Sequence, residues 1–361
     1  MSLRLIAFTL VAAVLFNVGD GDEVKLFHEA LPSQPPATTL QAVSDDLAAL
    51  VDQTVKAVVG IRVSLPREWM QQVMPADHPP FPDAYVPASE GSGFFISEAG
   101  YLLTCDHVVT PAFEAALSEP MPARRIAVEL HDGRHLDALL VGRDDLGDLA
   151  LLKVESDRPL PFLTLGGSKA ARVGEIVLAV GNPFGILANS VSMGILSGRG
   201  RSLLQGDLFG GLLQTDATVN VGNSGGPLLN ARGEVVGIAN AKGGGTGVSF
   251  AIPIDEAKRV LPELKKDGAP ARGFLGISFS AEAQDGRLTV VRRVIADSPA
   301  EKAGVKVGDI VLKVFDAEVD STQAVTNRIG ALRPGDLVRV ELQRDGEKLV
   351  REITLGRRPK Q

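Results

Sequence analysis

The chain has 361 residues, a net charge of −7, 45% apolar and 22% charged residues, and one cysteine, Cys105. Its length exceeds what one ordinary hydrophobic core organises, so two domains plus an extra segment are expected, with the composition of a soluble globular protein. The acidic balance argues against nucleic acid as the main partner, and a lone cysteine excludes an internal disulfide and a cysteine metal cluster.

Leu3 to Phe16 is an apolar run behind Arg4. It falls short of the ~20 residues of a membrane-spanning helix and fits the apolar part of an export signal over residues 1–19. An uncleaved anchor and a buried helix are the competing readings, because Asn17-Val18-Gly19 is a poor cleavage site. Residues 20–39 are polar, carry Pro32, Pro35 and Pro36, and read as a linker. Leu40 to Val55 has helical spacing, with Leu40, Val43, Leu47, Leu50 and Val51 on one side, and Val58 to Val63 reads as a strand. Ser64 to Gly91 holds six prolines without periodicity and reads as a long mobile loop.

From Gly91 onward short apolar runs alternate with turn signals. Gly93 to Ile96, Tyr101 to Thr104, Ile126 to Leu130, Leu136 to Val141, Leu149 to Val154, Ile176 to Val180, Leu212 to Gln214, Leu228-Leu229, Val235 to Ala239 and Val248 to Ile252 are predicted strands. Asp132-Gly133 marks a hairpin. The pattern suits a β-barrel or sandwich, and two packed six-stranded barrels would use this number of strands. Asp255 to Lys266 reads as a helix capped by Asp255, and Lys265 to Pro270 as a stop and linker. A smaller second domain then opens near Ala271. It has predicted strands at Phe274 to Phe279, Leu288 to Val294, Asp309 to Phe315, Leu337 to Arg344 and Leu349 to Leu355, and helices at Ser298 to Ala303 and Ser321 to Leu332.

The chemistry centres on Val221-Gly222-Asn223-Ser224-Gly225-Gly226-Pro227. A serine hydroxyl attacks a carbonyl only when a base takes its proton and donors hold the oxyanion. Glycines let the Gly222 and Ser224 amides point into one volume; a plain Gly/Asn/Ser turn is the alternative. Of five histidines, His107 follows the apolar strand Tyr101 to Thr104, where a rigid base could be presented, as could a core histidine. His28 lies in the linker, His78 in the proline-rich loop, and His131 and His135 flank the hairpin turn. Asp144, Asp145 and Asp148 are the candidate carboxylates. Asp148 directly precedes the most apolar strand, while the other two fall in a polar turn, and a turn role is open for each. The order His, Asp, Ser is one of the known arrangements of this triad.

On these residues the chain resembles the HtrA/Deg family of trypsin-fold serine proteases with one C-terminal PDZ domain. The matching stretches are Gly91 to Phe94, Thr104 to Val109, Asp132 to Arg134, Asp144 to Leu152, Val180 to Gly185, Gln214 to Ala217, Gly222 to Leu228 and Ser249 to Pro253. Gly273 to Ile277, Ser298 to Ala300, Ala303-Gly304 and Gly308-Asp309 extend the match into the second domain. The resemblance implies two six-stranded antiparallel barrels over 40–266 and an α+β PDZ domain over 271–357. It implies His107, Asp148 and Ser224 as the triad, and Gly222 and Ser224 as oxyanion donors. Gly247, Val248, Ser249 and Phe250 would line a specificity pocket, whose apolar Val248 and Phe250 favour small aliphatic side chains. Arg201 would be a regulatory residue, against a plain solvated turn arginine. Phe274, Leu275, Gly276 and Ile277 would receive a peptide C-terminus by backbone amides and strand addition.

No metal and no cofactor are implied. The expected partners are unfolded, misfolded or mislocalised proteins of the periplasm or cell envelope, C-terminal peptides at the PDZ domain, and further copies in a homotrimer or a multiple of trimers. The competing roles are a tethered, site-specific regulatory protease sensing exposed C-termini, and a chaperone-like scaffold. The chain departs from the family in a longer stretch at Thr110 to Arg125, in Cys105 beside His107, and in a short segment between Ser280 and Leu288.

Overall fold

The computed structural model describes residues 38–74, 78–111, 124–182, 190–201, 211–220, 222–240, 247–280 and 289–357. The export or anchor segment, nearly all of the linker, Gly243 to Gly245 and most of the inserts after His107 and Ser280 lie outside them. The chain divides into units 1–45 and 46–361. The described part of the first is the start of helix α1, Thr38–Thr54, where Gln41 donates to Asp45 at 2.7 Å. Among the described residues no helix is long and apolar enough to cross a membrane.

In the second unit, strands β1 Val58–Pro66, β2 Tyr85–Phe95, β3 Tyr101–Thr104, β4 Arg125–Glu129, β5 His135–Asp144 and β6 Leu149–Val154 close a six-stranded antiparallel barrel in the order β1-β2-β3-β6-β5-β4. Strands β7 Ile176–Gly181, β8 Ser190–Arg201, β9 Leu212–Thr215, β10 Pro227–Asn230, β11 Val235–Asn240 and β12 Ser249–Pro253 close a second in the order β10-β11-β12-β9-β8-β7. Closure leaves neither sheet an exposed edge. Phe94, Phe95, Leu102, Leu103, Leu149 and Leu152 fill the first barrel, and Leu196, Leu213, Leu228 and Val236 belong to the core of the second. Leu47, Leu50 and Val51 of α1 pack against the first core as their spacing predicts, whereas Val43 is exposed.

The loop expected over Ser64 to Gly91 is wrong. β1 runs on to Pro66, helix α2 spans Arg67–Val73, and β2 begins at Tyr85, with Pro66 paired to Tyr85. Leu65, Trp69, Met70, Met74, Phe81 and Val86 form a small core of their own. Prolines at strand ends hide periodicity without preventing pairing. Strand β8 is also absent from the sequence expectations. Its Gly/Ser alternation is a weak strand signal, and antiparallel pairing with the preceding strand β7, from Gly181 opposite Ser190 to Ile176 opposite Ile195, holds it in the sheet.

Helix α3, Asp106–Val109, is one turn after β3. Helix α4, Ile254–Asp267, carries Pro262 inside it and ends at Gly268, whose φ of 78° ends the helix in a left-handed residue. Asp255 is not the cap: Pro253 holds that place, and the Asp255 carboxylate instead accepts from Ser168 Oγ and the Lys169 amide, both at 2.9 Å.

The C-terminal region has a separate core, built on Val311, Val314, Val325, Val338, Val340 and Ile353. It contains β13 Gly273–Phe274, β14 Ile277–Phe279, β15 Val291–Val294, helix α5 Pro299–Lys302, β16 Ile310–Val314, β17 Ala317–Glu318, helix α6 Thr322–Gly330, β18 Leu337–Arg344, β19 Glu347–Thr354 and β20 Gly356–Arg357. The single strand expected over Phe274 to Phe279 is broken at Gly276, whose φ is 85°. A β-carbon there would lie 2.2 Å from that of Ser298, so only glycine fits. Ser298 and Ser321 cap α5 and α6 by accepting from Glu301 and Ala324 amides, each at 3.2 Å.

Candidate active site

Barrel register brings the histidine to the aspartate. β3 and β6 pair antiparallel with Thr104 opposite Ala150, so the chain leaving β3 meets the chain entering β6. His107 therefore faces Asp148. Asp148 Oδ2 lies 2.8 Å from His107 Nδ1, and Oδ1 accepts the His107 amide at 2.9 Å. Asp148 holds an unusual left-handed φ of 54°, which turns its carboxylate back onto the helical turn. A carboxylate only accepts, so Nδ1 donates and the other ring nitrogen, Nε2, is left for a substrate-side proton.

Asn240, at the end of β11, completes this arrangement from the second barrel. Its Nδ2 donates to Asp148 Oδ2 at 2.8 Å. Sequence reasoning missed Asn240, because nothing local distinguishes a strand-end asparagine from a turn residue. The other two candidate carboxylates separate. Asp144 is not in a polar turn but is the last residue of β5, buried and ion-paired with Arg272. Burial pushes its carboxyl upward while the Arg272 charge and hydrogen bond oppose the shift.

The serine turn is fixed by its own backbone. Gly225 N donates to Ala239 O at 2.9 Å, Gly226 N to Asn223 O at 2.9 Å, and Ser92 N to Ser224 O at 2.8 Å. Ser92 Oγ donates to Gly222 O and accepts from Asn182 N. Gly222 and Gly225 take φ values of 107° and 85°, so the turn bends where side chains are disfavoured. A β-carbon on Gly225 would lie 2.2 Å from Thr104 Oγ1 and 3.0 Å from the Cys105 amide. The serine turn is thus pressed against the two residues that lead into His107. Cys105 is buried, and its thiol donates to the same Ala239 carbonyl at 3.5 Å.

Cys105, His107 and Asp148 are the one group of such side chains among the described residues with donor atoms within 4.8 Å of one another. His107 Nδ1 and the Asp148 oxygens are committed to each other, so the set suits proton handling rather than a metal ion.

Two family models match the chain: a trypsin-like peptidase domain over 91–238 and a PDZ domain over 273–355. A Rhizobium meliloti protein named "Probable periplasmic serine endoprotease DegP-like" is 36% identical, with the match covering 97% of this chain and 76% of that protein. The chain belongs to the DegP-like, or HtrA, serine endoproteases. A 43% identical relative of the same name from Halomonas elongata is matched over 74% of this chain and 56% of its own length. The serine endoprotease from Yersinia pestis superposes with a TM-score of 0.59 at 32% identity, covering 86% of this chain and 98% of that one. The HtrA-type protease AlgW with decapeptide gives 0.58 at 32% identity, covering 87% and 99%.

The remaining residues of interest to an HtrA protease lie as follows. Gly247 has a φ of 81° with open space around it, Val248 is 36% exposed, Ser249 Oγ accepts from the Val219 amide at 3.2 Å, and Phe250 is buried opposite Gln214. Arg201 ends β8, paired with Leu212. Around the break at Gly276, the Leu275 and Gly276 carbonyls accept from the Ala300 and Ile295 amides at 2.9 and 2.8 Å. Ile277 pairs with Val294 on one side of β14.

Proposed function

We propose that Ser224 is the nucleophile, His107 the general base and acid, and Asp148 the residue that orients the imidazole. The observation that carries this is the chain Asn240–Asp148–His107, drawn from both barrels, beside a tight serine turn pressed on Thr104 and Cys105. Ser224 Oγ attacks the scissile carbonyl and its proton passes to His107 Nε2. The Gly222 and Ser224 amides receive the oxyanion; one such donor is worth ~10²–10³ in turnover. His107 then protonates the leaving amine, and a water deprotonated by the same nitrogen releases the acyl group.

The substrates are unfolded, misfolded or mislocalised proteins of the periplasm or cell envelope, where relatives of this name are placed. Gly247 to Phe250 line the specificity pocket and favour cleavage after Val, Ile or Ala, since Val248 and Phe250 bring no acidic group. Residues 40–266 form the protease domain and 271–357 the PDZ domain. The Phe274 to Ile277 segment receives peptide C-termini, Arg201 reads PDZ occupancy, and the active particle is a homotrimer or a multiple of trimers. The alternative reading is a site-specific regulatory protease that senses exposed C-termini, in keeping with an HtrA-type relative solved with a decapeptide.

The test is digestion of a denatured protein by wild type, Ser224→Ala, His107→Ala and the double variant, with cut sites mapped. Each single variant is expected to fall below a few per cent of wild type, and the double variant to lose little more, because the triad acts as a unit. Substantial turnover by Ser224→Ala, or cuts dominated by Lys and Arg, would overturn the assignment.

A further inference from the structure

His107 has a second buried carboxylate beside it. Asp106 precedes it in α3 and is 5% exposed. Its carboxylate is gripped by Arg143 of β5, Nε to Oδ1 and Nη2 to Oδ2, both at 2.8 Å. Thr110 closes the turn, donating from its hydroxyl to Asp106 Oδ1 at 3.3 Å and from its amide to Asp106 O at 2.8 Å. Arg143 is itself held, its amide donating to Gly268 O at 2.9 Å. At Gly142, one residue earlier, a β-carbon would lie 2.4 Å from Leu264 O. The end of β5 is therefore clamped on the end of α4, and its arginine reaches forward to the turn that carries the base.

We propose that Arg143 is a positioning residue for His107, acting through Asp106: its guanidinium neutralises the carboxylate next to the base and fixes the one-turn helix that presents the imidazole. This rests on His107 being the general base. The charged and titratable groups around that turn are Asp148 and Asp145 from the β5–β6 connection, Arg143 from β5, Arg124 just ahead of β4, whose Nη1 donates to Val109 O at 2.7 Å, and Cys105 and Asp106 from its own segment; neutral Asn240 faces Asp148 from β11. Three carboxylates stand there against two guanidiniums, of which that of Arg143 grips Asp106 and that of Arg124 caps the far end of the turn. Burial raises the Asp106 carboxyl above its ordinary range, and the Arg143 hydrogen bond and charge pull it back. Without Arg143, uncompensated negative charge beside the imidazole favours its protonated, inactive form. Without the Asp106 charge, the Arg143 guanidinium disfavours that form. The two deletions act in opposite directions on the base, whereas loss of a mere brace would lower stability alone.

The experiment compares full-length wild type, Arg143→Gln, Arg143→Lys, Asp106→Asn and Arg143→Gln/Asp106→Asn. It measures kcat and KM against pH on a small Val-ended chromogenic peptide, with thermal unfolding in parallel and His107→Ala as control. Arg143→Gln is expected to lower kcat ~10-fold at neutral pH with KM within about twofold, and to move the acid limb of kcat/KM upward by roughly half a pH unit or more. Asp106→Asn moves that limb downward, the double variant brings it back toward wild type, and Arg143→Lys falls between wild type and Arg143→Gln. An unmoved acid limb in Arg143→Gln overturns the proposal, whether or not its melting temperature drops, and so does a double variant displaced as far as Arg143→Gln. Should Arg143→Gln fail to fold, the opposite displacement in Asp106→Asn and its cancellation in the double variant decide the matter. An active His107→Ala would instead refute the underlying assignment of the base.

Discussion

Removing Arg272 should leave the fully buried carboxylate of Asp144 without its ion-pair partner. Arg272 sits between α4 and β13 with 5% of its side chain exposed, and Asp144, at the end of β5, has 0%. One guanidinium nitrogen pairs with Asp144 Oδ2, and the other donates to Gly330 O at 3.1 Å, at the end of α6. The residue therefore joins the end of a barrel strand to the C-terminal region. In Arg272→Met the carboxylate stays buried with its partner gone, which typically costs ~3–5 kcal/mol. At roughly 2–4 °C per kcal/mol for domains of this size, the melting temperature at pH 7 falls on the order of 5–10 °C at least. Burial already drives the Asp144 carboxyl upward, so in the variant it takes a proton as the pH falls and the deficit narrows toward pH 5. Arg272→Met/Asp144→Leu removes both charges and should recover most of the loss, because an apolar replacement needs no desolvation of ions. Calorimetry of the three proteins at pH 7 and pH 5 measures this. A single variant melting within about a degree of wild type at pH 7, or a double variant no better than the single, would refute the reasoning.

Gly225→Ala should cost ~10²-fold or more in turnover, because the new methyl meets Thr104 Oγ1 at 2.2 Å and Ser92 O at 2.3 Å in a left-handed backbone, and the oxyanion donors move with it; steady-state kinetics with unchanged peptide binding at the PDZ region would check it. Asn240→Ala removes a hydrogen bond to the Asp148 carboxylate worth ~1.5–3 kcal/mol, so turnover should fall ~10-fold if about half is expressed in the transition state; wild-type kcat would contradict that. Acid should loosen the C-terminal region through Asp309. Burial raises that carboxyl, but the Arg344 hydrogen bond, the Lys306 amide and nearby positive charges outweigh it, and the net direction is below the ordinary 3.8. A depressed folded value means the stabilisation is present above about pH 4 and is lost as pH falls through the folded value, so Arg344→Gln should flatten the acid dependence measured by denaturant unfolding.

The strand pattern of the sequence by itself narrowed the fold to a β-barrel or a sandwich, with the family resemblance implying two six-stranded barrels. The sequence also exposed the serine turn, because a Gly-Asn-Ser-Gly-Gly-Pro run is richer than an ordinary hairpin needs. It also narrowed the candidates for a base to His107, since the other histidines fall in polar or proline-rich segments. Local pattern left three aspartates in play, and the family resemblance singled out Asp148. Tertiary structure supplies the physical reason, because the β3–β6 register sets Thr104 against Ala150 and so brings Asp148 to His107, while β5 carries Asp144 away to Arg272. Asn240 and Arg143 were invisible for the same reason. Each acts on a residue 92 or 37 positions away, and local periodicity carries no information about which strand ends meet in space. The misread stretch from Ser64 to Gly91 shows the converse. Prolines and a tryptophan look irregular along the chain, yet Leu65, Trp69, Met70, Phe81 and Val86 converge once β1 and β2 pair, and burial against one another orders them. Composition and local pattern fix which segments can be strands; long-range pairing and burial decide which side chains become a site.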